Sequence, residues 1–232
     1  MNKSFLKTVL LKTLPVMTGY IVLGIGFGIL FESKGYGILW SLAMAVFIYA
    51  GSMQYVAINL ITGGASLITT ALTTLMVNAR HLFYGISMVD KYKNTGAKKP
   101  YLIFALTDET YSLVCTDDYP EDCNPHKYQL AVSLLNHIYW ITGCAVGSLI
   151  GTAVSFNTAG IDFCMTALFV TIFVEQWLST KQHIPALIGL SATILCLVIF
   201  GADSFLIPSM VLISALLLIF RKPIDRQVAE NE

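Results

Sequence analysis

Charged residues are scarce in this sequence. Of its 232 residues, 12% are Asp, Glu, Lys or Arg, whereas soluble domains carry about 25%. No charged residue occurs between Gly35 and Ala79, and hydrophobic residues make up 56% of the chain. Because a soluble helix needs a polar face toward water, this composition excludes a soluble helical domain. It predicts an all-α, polytopic integral membrane protein in contact with the lipid bilayer.

Sequence motifs of enzymes and metal sites are missing as well. The chain has no G-K-[ST] phosphate loop, no H-E-x-x-H helix and no C-x-x-C pair among its five cysteines. Its formal net charge is zero, so nothing indicates a nucleic acid partner. We therefore expect neither an enzyme nor a bound cofactor or metal.

A membrane-spanning helix needs about 20 mostly apolar residues. The candidate segments are Leu14–Phe31, Ile38–Thr62, Ala65–Val89, Tyr101–Thr116, Gln129–Val154, Phe163–Ser179, Pro185–Ala202 and Phe205–Phe220. The sequence thus predicts six to eight apolar segments in a single transporter domain, residues 1–232. A basic lead-in at 1–13 and a tail at 221–232 flank them.

The few charges in the connecting segments predict the orientation. Lysines dominate 1–13 and 90–99, basic residues follow Phe220, and acidic residues dominate 117–128. Since cytoplasmic loops carry the excess of Lys and Arg, both termini and 90–99 should be cytoplasmic and 117–128 external, joined by one crossing of Tyr101–Thr116. The crossing numbers then agree only if one segment in each half fails to cross, as a broken or re-entrant helix, which requires a protein-lined or wet surrounding.

Glycines recur at a spacing of 123 residues, as if the chain contained two related halves. The matched positions are Gly24, Gly28 and Gly37 in the first half and Gly147, Gly151 and Gly160 in the second. If the second half starts on the outer side, the halves form inverted repeats, a common transporter architecture. The alternative is that glycine is frequent in membrane helices and matches by chance.

Ionised side chains inside an apolar segment cost at least about 2.5–3.5 kcal/mol each, so they are the first candidates for a functional site. The clearest cluster runs from Asn78 to Gly85 and interrupts the third apolar segment. On a helix, Asn78, His81 and Gly85 share one face, and Arg80 and Tyr84 share another. The Arg80 guanidinium can hold a carboxylate through two hydrogen bonds. The alternative is an interfacial arginine whose head group reaches water.

A second group of polar residues lies in the neighbouring segments. Asp108 and Glu109 fall near the middle of the fourth segment, and Ser52 and Gln54 lie within the second. A carboxyl group kept from water can carry a proton near neutral pH, which makes both acids candidates for proton coupling. A structural ion pair with Arg80 is the alternative and is compatible with that role. Ser52 also fits simple helix packing.

Several motifs, taken in order, resemble the AzlC-type branched-chain amino acid permease family. They are Pro15–Gly19 with Gly24–Gly28, then Ala50–Gln54, Asn78–Gly85 and Thr107–Glu109. The resemblance covers residues 14–220, and Asn78–Gly85 is its most specific block. It implies the large subunit of an azaleucine-resistance type exporter in the cell membrane. Such a secondary transporter exports valine, leucine and isoleucine, sometimes methionine, by proton antiport, together with a small AzlD-type membrane subunit.

The residues and the resemblance together give a set of expected sites. Substrate binding is expected at Arg80, Asn78, His81, Gln54, Ser52 and Tyr84, and proton coupling at Asp108, Glu109 or His81. The apolar side chain of the substrate is expected against Phe83, Tyr84, Tyr55 and the glycines around Gly24. The alternative function is a channel-like or scaffold subunit for a small partner protein, without its own substrate site.

Overall fold

The computed structural model describes residues 3–115, 119, 124–153, 162–179, 183–201 and 205–220. These residues form helices and turns without a strand, which confirms the all-α prediction for the described part of the chain. The helices are α1 (Lys3–Ser33), α2 (Ile38–Phe47), α3 (Gly51–Thr62), α4 (Leu67–Val77), α5 (Arg80–Met88), α6 (Lys99–Phe104), α7 (Asp108–Val114), α8 (Pro125–Ala153), α9 (Asp162–Ser179), α10 (Ile184–Phe200) and α11 (Leu206–Ile219). Gly160, the acidic residues 117, 118, 121 and 122, and the predicted tail at 221–232 lie outside the described residues.

The chain divides into two compact units, Met1–Met165 and Thr166–Glu232. In the second unit, α10 and α11 pack against each other, and Trp177 stacks on His183 with ring centroids 4.0 Å apart. The candidate site lies entirely in the first unit.

Helices α1 and α8 form the centre of the first unit. Both contain 29-residue stretches, Phe5–Ser33 and Pro125–Ala153, that are long and apolar enough to cross a bilayer. Their contact is close because glycines face glycines: a Cβ atom added to Gly24 would lie 2.9 Å from the Cα of Gly143. Small residues let two membrane helices approach this closely and pack through their backbones.

The two long helices run in the same direction. Val9 packs near Tyr128, Gly24 contacts Gly143, and Gly151 contacts Glu32. Both helices therefore begin at one end of the unit, which we call the basic end because Lys12 lies there over the ring of Tyr128; the other is the far end. The inverted-repeat prediction is wrong for α1 and α8, because the two helices are parallel. Four of the glycines that suggested it, Gly24, Gly28, Gly147 and Gly151, lie in their contact.

Helix α1 begins much earlier than its apolar segment. It starts at Lys3, so the described part of the predicted lead-in and the segment from Leu14 form one helix. Val9 and Thr13 are fully buried in it. The apolar face of α1 thus continues through the basic residues, which a count of charges does not detect.

The three apolar segments after α1 are each broken into two short helices. Ile38–Thr62 breaks at Tyr49, a non-glycine residue with a φ of +44°. Ala65–Val89 breaks at Asn78 and Ala79. Tyr101–Thr116 breaks before Thr107, whose side chain caps α7 by accepting from the backbone N–H of Thr110. Side chains with hydrogen-bonding groups occupy all three breaks.

Helices α2 and α3 form a hairpin that enters from the far end and returns to it. Helix α2 runs inward, and near its end the carbonyl oxygen of Ala45 accepts a hydrogen bond from Nε2 of His137 in the middle of α8, at 3.2 Å. Helix α3 runs back toward the far end, and on it the Tyr55 hydroxyl donates to the Leu23 carbonyl oxygen at 2.6 Å while the Tyr55 ring contacts Phe27. The tip of this hairpin, residues 48–50, therefore lies at mid-height.

Helices α4 and α5 instead pass from the far end to the basic end, where Met88 packs with Val9. Helices α6 and α7 then form a second hairpin that enters from the basic end. Tyr101 on α6 contacts Nδ1 of His137. Helix α7 returns to the basic end, where Lys91 donates to the carbonyl oxygen of Cys115 at 2.5 Å. The predicted single crossing by Tyr101–Thr116 is wrong, because six- and seven-residue helices turn back where a crossing needs about 20 residues.

Large apolar side chains cover the outside of these helices. Leu67 is 89% exposed, Leu39 78% and Phe47 77%. Contiguous apolar surface of this kind marks contact with a membrane or another protein.

Candidate functional site

The Arg80 side chain forms the centre of the candidate site. Its Nη1 lies 2.5 Å from Oδ2 of Asp108, and its Nη2 donates to Oγ of Ser52 at 2.8 Å. The Arg80 and Asp108 side chains are each 29% exposed, so the ion pair is mostly sheltered from solvent. Three of the predicted site residues therefore meet, and the predicted Arg80–Asp108 pair is present.

Helix breaks bring these side chains together. Arg80 is the first residue of α5, Asp108 the first of α7, and Ser52 the second of α3. All three thus lie at helix N-termini, whose unpaired backbone N–H groups and dipoles favour negative charge. The arrangement brings a cation, a carboxylate and a hydroxyl together where three helices begin.

Two buried polar atoms of the ion pair have no hydrogen-bond partner among the described residues. They are Nε of Arg80 and Oδ1 of Asp108. Buried polar groups are nearly always hydrogen-bonded, and each exception calls for an explanation. A free donor on the cation and a free acceptor on the carboxylate would suit a ligand that carries both charges.

Glu109 has a different set of partners. Its Oε2 accepts a hydrogen bond from the Tyr20 hydroxyl at 2.7 Å, and Tyr20 Oη also lies 2.6 Å from Oγ1 of Thr107. Thr107 in turn contacts Thr110, to which Asn136 donates at 3.0 Å. Both adjacent acids thus face the interior, although two consecutive residues on a helix point in different directions.

Gln54 is fully buried but lies apart from the ion pair. Its Oε1 accepts a hydrogen bond from Nε1 of Trp140 at 2.8 Å, while its Nε2 has no partner among the described residues. This contact fixes the start of α3 against α8.

A cavity of about 530 Å³ opens beside the break between α4 and α5. Asn78, His81 and Gly85 line it, as their shared helix face predicted. The rest of the lining is mainly apolar and comes from α4, α5, α6 and the tip of the α2–α3 hairpin, including Ile48, Leu75, Leu82, Ile103 and Phe104. Arg80 is not among the lining residues, but the cavity and the ion pair lie at the same break between α4 and α5.

The expected pocket for the apolar side chain is wrong in its composition. Phe83 is 70% exposed on the outside, and Tyr84 stacks on Tyr111 at 4.6 Å. Tyr55 is held against Phe27, and Gly24 is covered by α8. These four residues have separate neighbours and do not line one pocket, whereas the apolar lining of the cavity lies around Gly85.

Sequence reasoning missed three residues of the site. Tyr20, Thr107 and Trp140 contribute hydrogen-bonding groups to Glu109 or Gln54. A tyrosine or tryptophan in an apolar run gives no signal beyond core packing. Thr107 did give one, since Thr followed by two acids is typical of a helix N-terminus.

His137 on α8 is fixed in place by its contacts. Its two ring nitrogens contact Tyr101 and the Ala45 carbonyl oxygen, and its ring stacks on Tyr49 at 4.2 Å. It joins the tips of both hairpins to α8. Among the described residues, no group of three or more His, Cys, Asp or Glu side chains could hold a metal ion.

In the described part of the chain, helices with an apolar exterior carry polar groups at their breaks, an arrangement found in many membrane transporters. Comparison with known proteins identifies the family. The sequence pattern described as AzlC protein matches residues 15–154, and the chain belongs to the AzlC family. This is a family of transport proteins and not of enzymes, which confirms that the chain is not an enzyme.

Relatives cover nearly the whole chain. It is 45% identical to the branched-chain amino acid transport protein AzlC of Bacillus subtilis (strain 168), over 92% of this chain and 84% of that protein. It is 42% identical to an uncharacterized membrane protein of Helicobacter pylori (strain ATCC 700392 / 26695), over 92% and 93% of the two chains. An uncharacterized membrane protein of Haemophilus influenzae is also 42% identical, over 86% and 82%. No solved structure matches the chain.

Proposed function

We propose that this protein is a secondary transporter subunit that exports branched-chain amino acids across the cytoplasmic membrane. The observation that carries the proposal is the Arg80–Asp108 ion pair, which lies where three short helices begin and keeps one donor and one acceptor unpaired. The 45% identity to a branched-chain amino acid transport protein supports the substrate class.

In this proposal the two charges of the amino acid bind the two halves of the ion pair. The substrate carboxylate approaches Arg80, which can hold it with parallel hydrogen bonds, and the ammonium group approaches Asp108. Ser52 assists on the carboxylate side, where its hydroxyl already contacts Arg80. Arg80 and Asp108 each exchange their mutual ionic contact for one with the substrate, so no charge has to be buried without a partner.

The cavity at the same break supplies the apolar surface that a branched side chain requires. Its volume of about 530 Å³ exceeds that of a leucine side chain, and Asn78 and His81 provide its polar edge. Gln54 and Tyr84, which were expected to contact the substrate, hold α3 and α5 in place through Trp140 and Tyr111. We propose a supporting role for both.

The proposed placement in the membrane has α1, the broken helix α4–α5 and α8 crossing. The α2–α3 and α6–α7 hairpins are then re-entrant and meet at the midplane, where transporter sites are commonly found. The basic end, with Lys12 and Lys91, faces the cytoplasm. Cys115 lies at this end too.

Export is proposed to be driven by proton antiport, with Asp108, Glu109 or His81 as the proton carrier, in a complex with a small AzlD-type subunit. The test is counterflow of labelled valine, leucine, isoleucine, methionine and arginine in proteoliposomes, with and without that subunit. We expect saturable exchange of the apolar amino acids and little of arginine. Equal fluxes of leucine and arginine would contradict the proposal, and a non-saturating flux would favour a channel.

A further inference from the structure

We propose that Glu109 is the residue that binds and releases the transported proton, and that the Tyr20 and Thr107 hydroxyls allow it to do so while Asp108 stays ionised. The inference rests on the proposed function and assigns different roles to two adjacent carboxyl groups. It follows from the hydrogen-bonding capacity of their partners.

The partner of Asp108 is suited to one protonation state only. A guanidinium carries donors and no acceptor, and it remains charged throughout the accessible pH range. A proton on Oδ2 of Asp108 would point at the Nη1 donor of Arg80 and leave the cation without its counter-charge. Arg80 therefore suits only the carboxylate form of Asp108, and so does a substrate ammonium, which also carries donors and no acceptor.

The partner of Glu109 is suited to both states, because a hydroxyl both donates and accepts. When Glu109 is ionised, Tyr20 donates to it at 2.7 Å and Thr107 donates to Tyr20 at 2.6 Å. When Glu109 is protonated, it donates to Tyr20, Tyr20 donates to Thr107, and Thr107 donates to Thr110 at 3.1 Å. Rotation of two hydroxyl groups connects the two arrangements, and no heavy atom has to move.

The surroundings of Glu109 couple this proton to the substrate. The ionisable groups that act on or respond to its charge among the described residues are Asp108 on the same helix, Tyr20 on α1, Tyr49 at the α2–α3 tip and Tyr84 on α5. The negative charge of Asp108 favours a proton on Glu109. A substrate ammonium at Asp108 favours the ionised form. Binding of a proton to Glu109 and binding of the substrate to Asp108 therefore weaken each other, which is the condition for antiport.

Two assays on reconstituted protein separate exchange from proton coupling. The first measures exchange of labelled leucine against internal leucine at equal pH on both sides. The second measures accumulation of leucine into vesicles with an acidic lumen, with potassium and valinomycin holding the membrane potential at zero. Each proton that leaves Glu109 for the outer medium accompanies one inward leucine, so the pH gradient drives accumulation only in a coupled protein.

Glu109→Gln should still exchange leucine, but with a weaker apparent affinity, because the neutral amide resembles the protonated form, whose binding opposes that of the substrate. It should lose both accumulation and the pH dependence of exchange. Asp108→Asn should lose exchange and accumulation together. Accumulation by Glu109→Gln at the wild-type level would overturn the inference, whereas absence of leucine exchange by the wild-type protein would refute the proposed function instead. The two failures are therefore distinguishable.

Tyr20→Phe gives a second test if Glu109→Gln does not insert. It removes a donor to the charged carboxylate, and charge-assisted bonds are the stronger ones, so the midpoint of the pH profile should move up by about one pH unit. Tyr139→Phe is the matched control, because that hydroxyl contacts Thr13 elsewhere between α1 and α8. An unchanged profile in Tyr20→Phe, or the same shift in Tyr139→Phe, would overturn the inference.

Discussion

Helices α1 and α8 differ from α2–α7 in length, composition and contacts. The long pair is joined by glycines and apolar side chains, with Gly147 directly over the backbone at Ile25. The short helices meet through polar groups, with Arg80, Asp108 and Glu109 all within one residue of a helix start. The long pair depends on close packing of apolar surface, whereas the breaks hold charge where the bilayer could not otherwise accept it. The site therefore lies in the short helices, and the long pair supports it.

The largest effect should come from removing the cation at the breaks. Arg80→Ala should reduce leucine exchange to background, because it leaves the Asp108 carboxylate without its partner; loss of one member of a buried pair costs about 3–5 kcal/mol. The measurement is counterflow normalised to the amount of reconstituted protein. Lys93→Ala, which removes an exposed lysine, should transport normally. Undiminished exchange by Arg80→Ala would mean that the ion pair is only structural.

Overpacking the contact between the long helices should lower the stability of the protein more than it changes substrate binding. Gly147→Leu places a side chain against the Ile25 backbone, where even a Cβ would lie 2.7 Å from its Cα, and overpacking typically costs about 1–3 kcal/mol. We expect a lower melting temperature in detergent and loss of the monodisperse peak. Gly19→Leu, where an added Cβ meets nothing within 4 Å, should behave like wild type. Equal stability of the two variants would disprove the close contact.

Filling the cavity tests whether the apolar surface of the breaks selects the substrate. Gly85 lines the cavity, and an added Cβ there meets nothing within 4 Å, so Gly85→Val should fold. It should slow leucine exchange about tenfold while affecting alanine less, as expected when a pocket loses room for a few methylene groups. Competition of alanine, valine and leucine in the exchange assay measures this. A uniform decrease for all three would argue against a side-chain pocket.

The smallest effect should come from the contact that joins the two regions. Trp140→Phe removes the N–H that Gln54 accepts at 2.8 Å, and a net hydrogen bond contributes about 0.5–1.5 kcal/mol. The melting temperature should fall by a few degrees, whereas the preference among substrates should not change. The double variant with Gln54→Leu should recover part of the loss, because the buried amide no longer lacks a partner. A changed preference would place Gln54 in the substrate site.

The clustering of the polar residues was more predictable from the sequence than the path of the chain. Charge within apolar segments predicted the Arg80–Asp108 pair that the structure contains, since such charges are costly unless they have a partner. The direction of each segment was not predictable from apolar length, because Tyr101–Thr116 is nearly as long as a crossing yet turns back. The capping pattern at Thr107 marks that turn and carries more information than the apolar count. The hydroxyl of Tyr20 had no local signal, since its partners come from residues 107 and 109.

The parallel contact between α1 and α8 has a consequence for biogenesis. At about 5–20 residues per second, α8 leaves the ribosome on the order of ten seconds after α1. During that interval Gly24 and Gly28 have no helix packed against them, and the contact between the rings of Tyr20 and Trp140 has not yet formed. The earlier helices must therefore remain in the insertion machinery or in a provisional arrangement until the chain beyond Pro125 arrives. A nascent chain stopped before that point should be a substrate for membrane proteases.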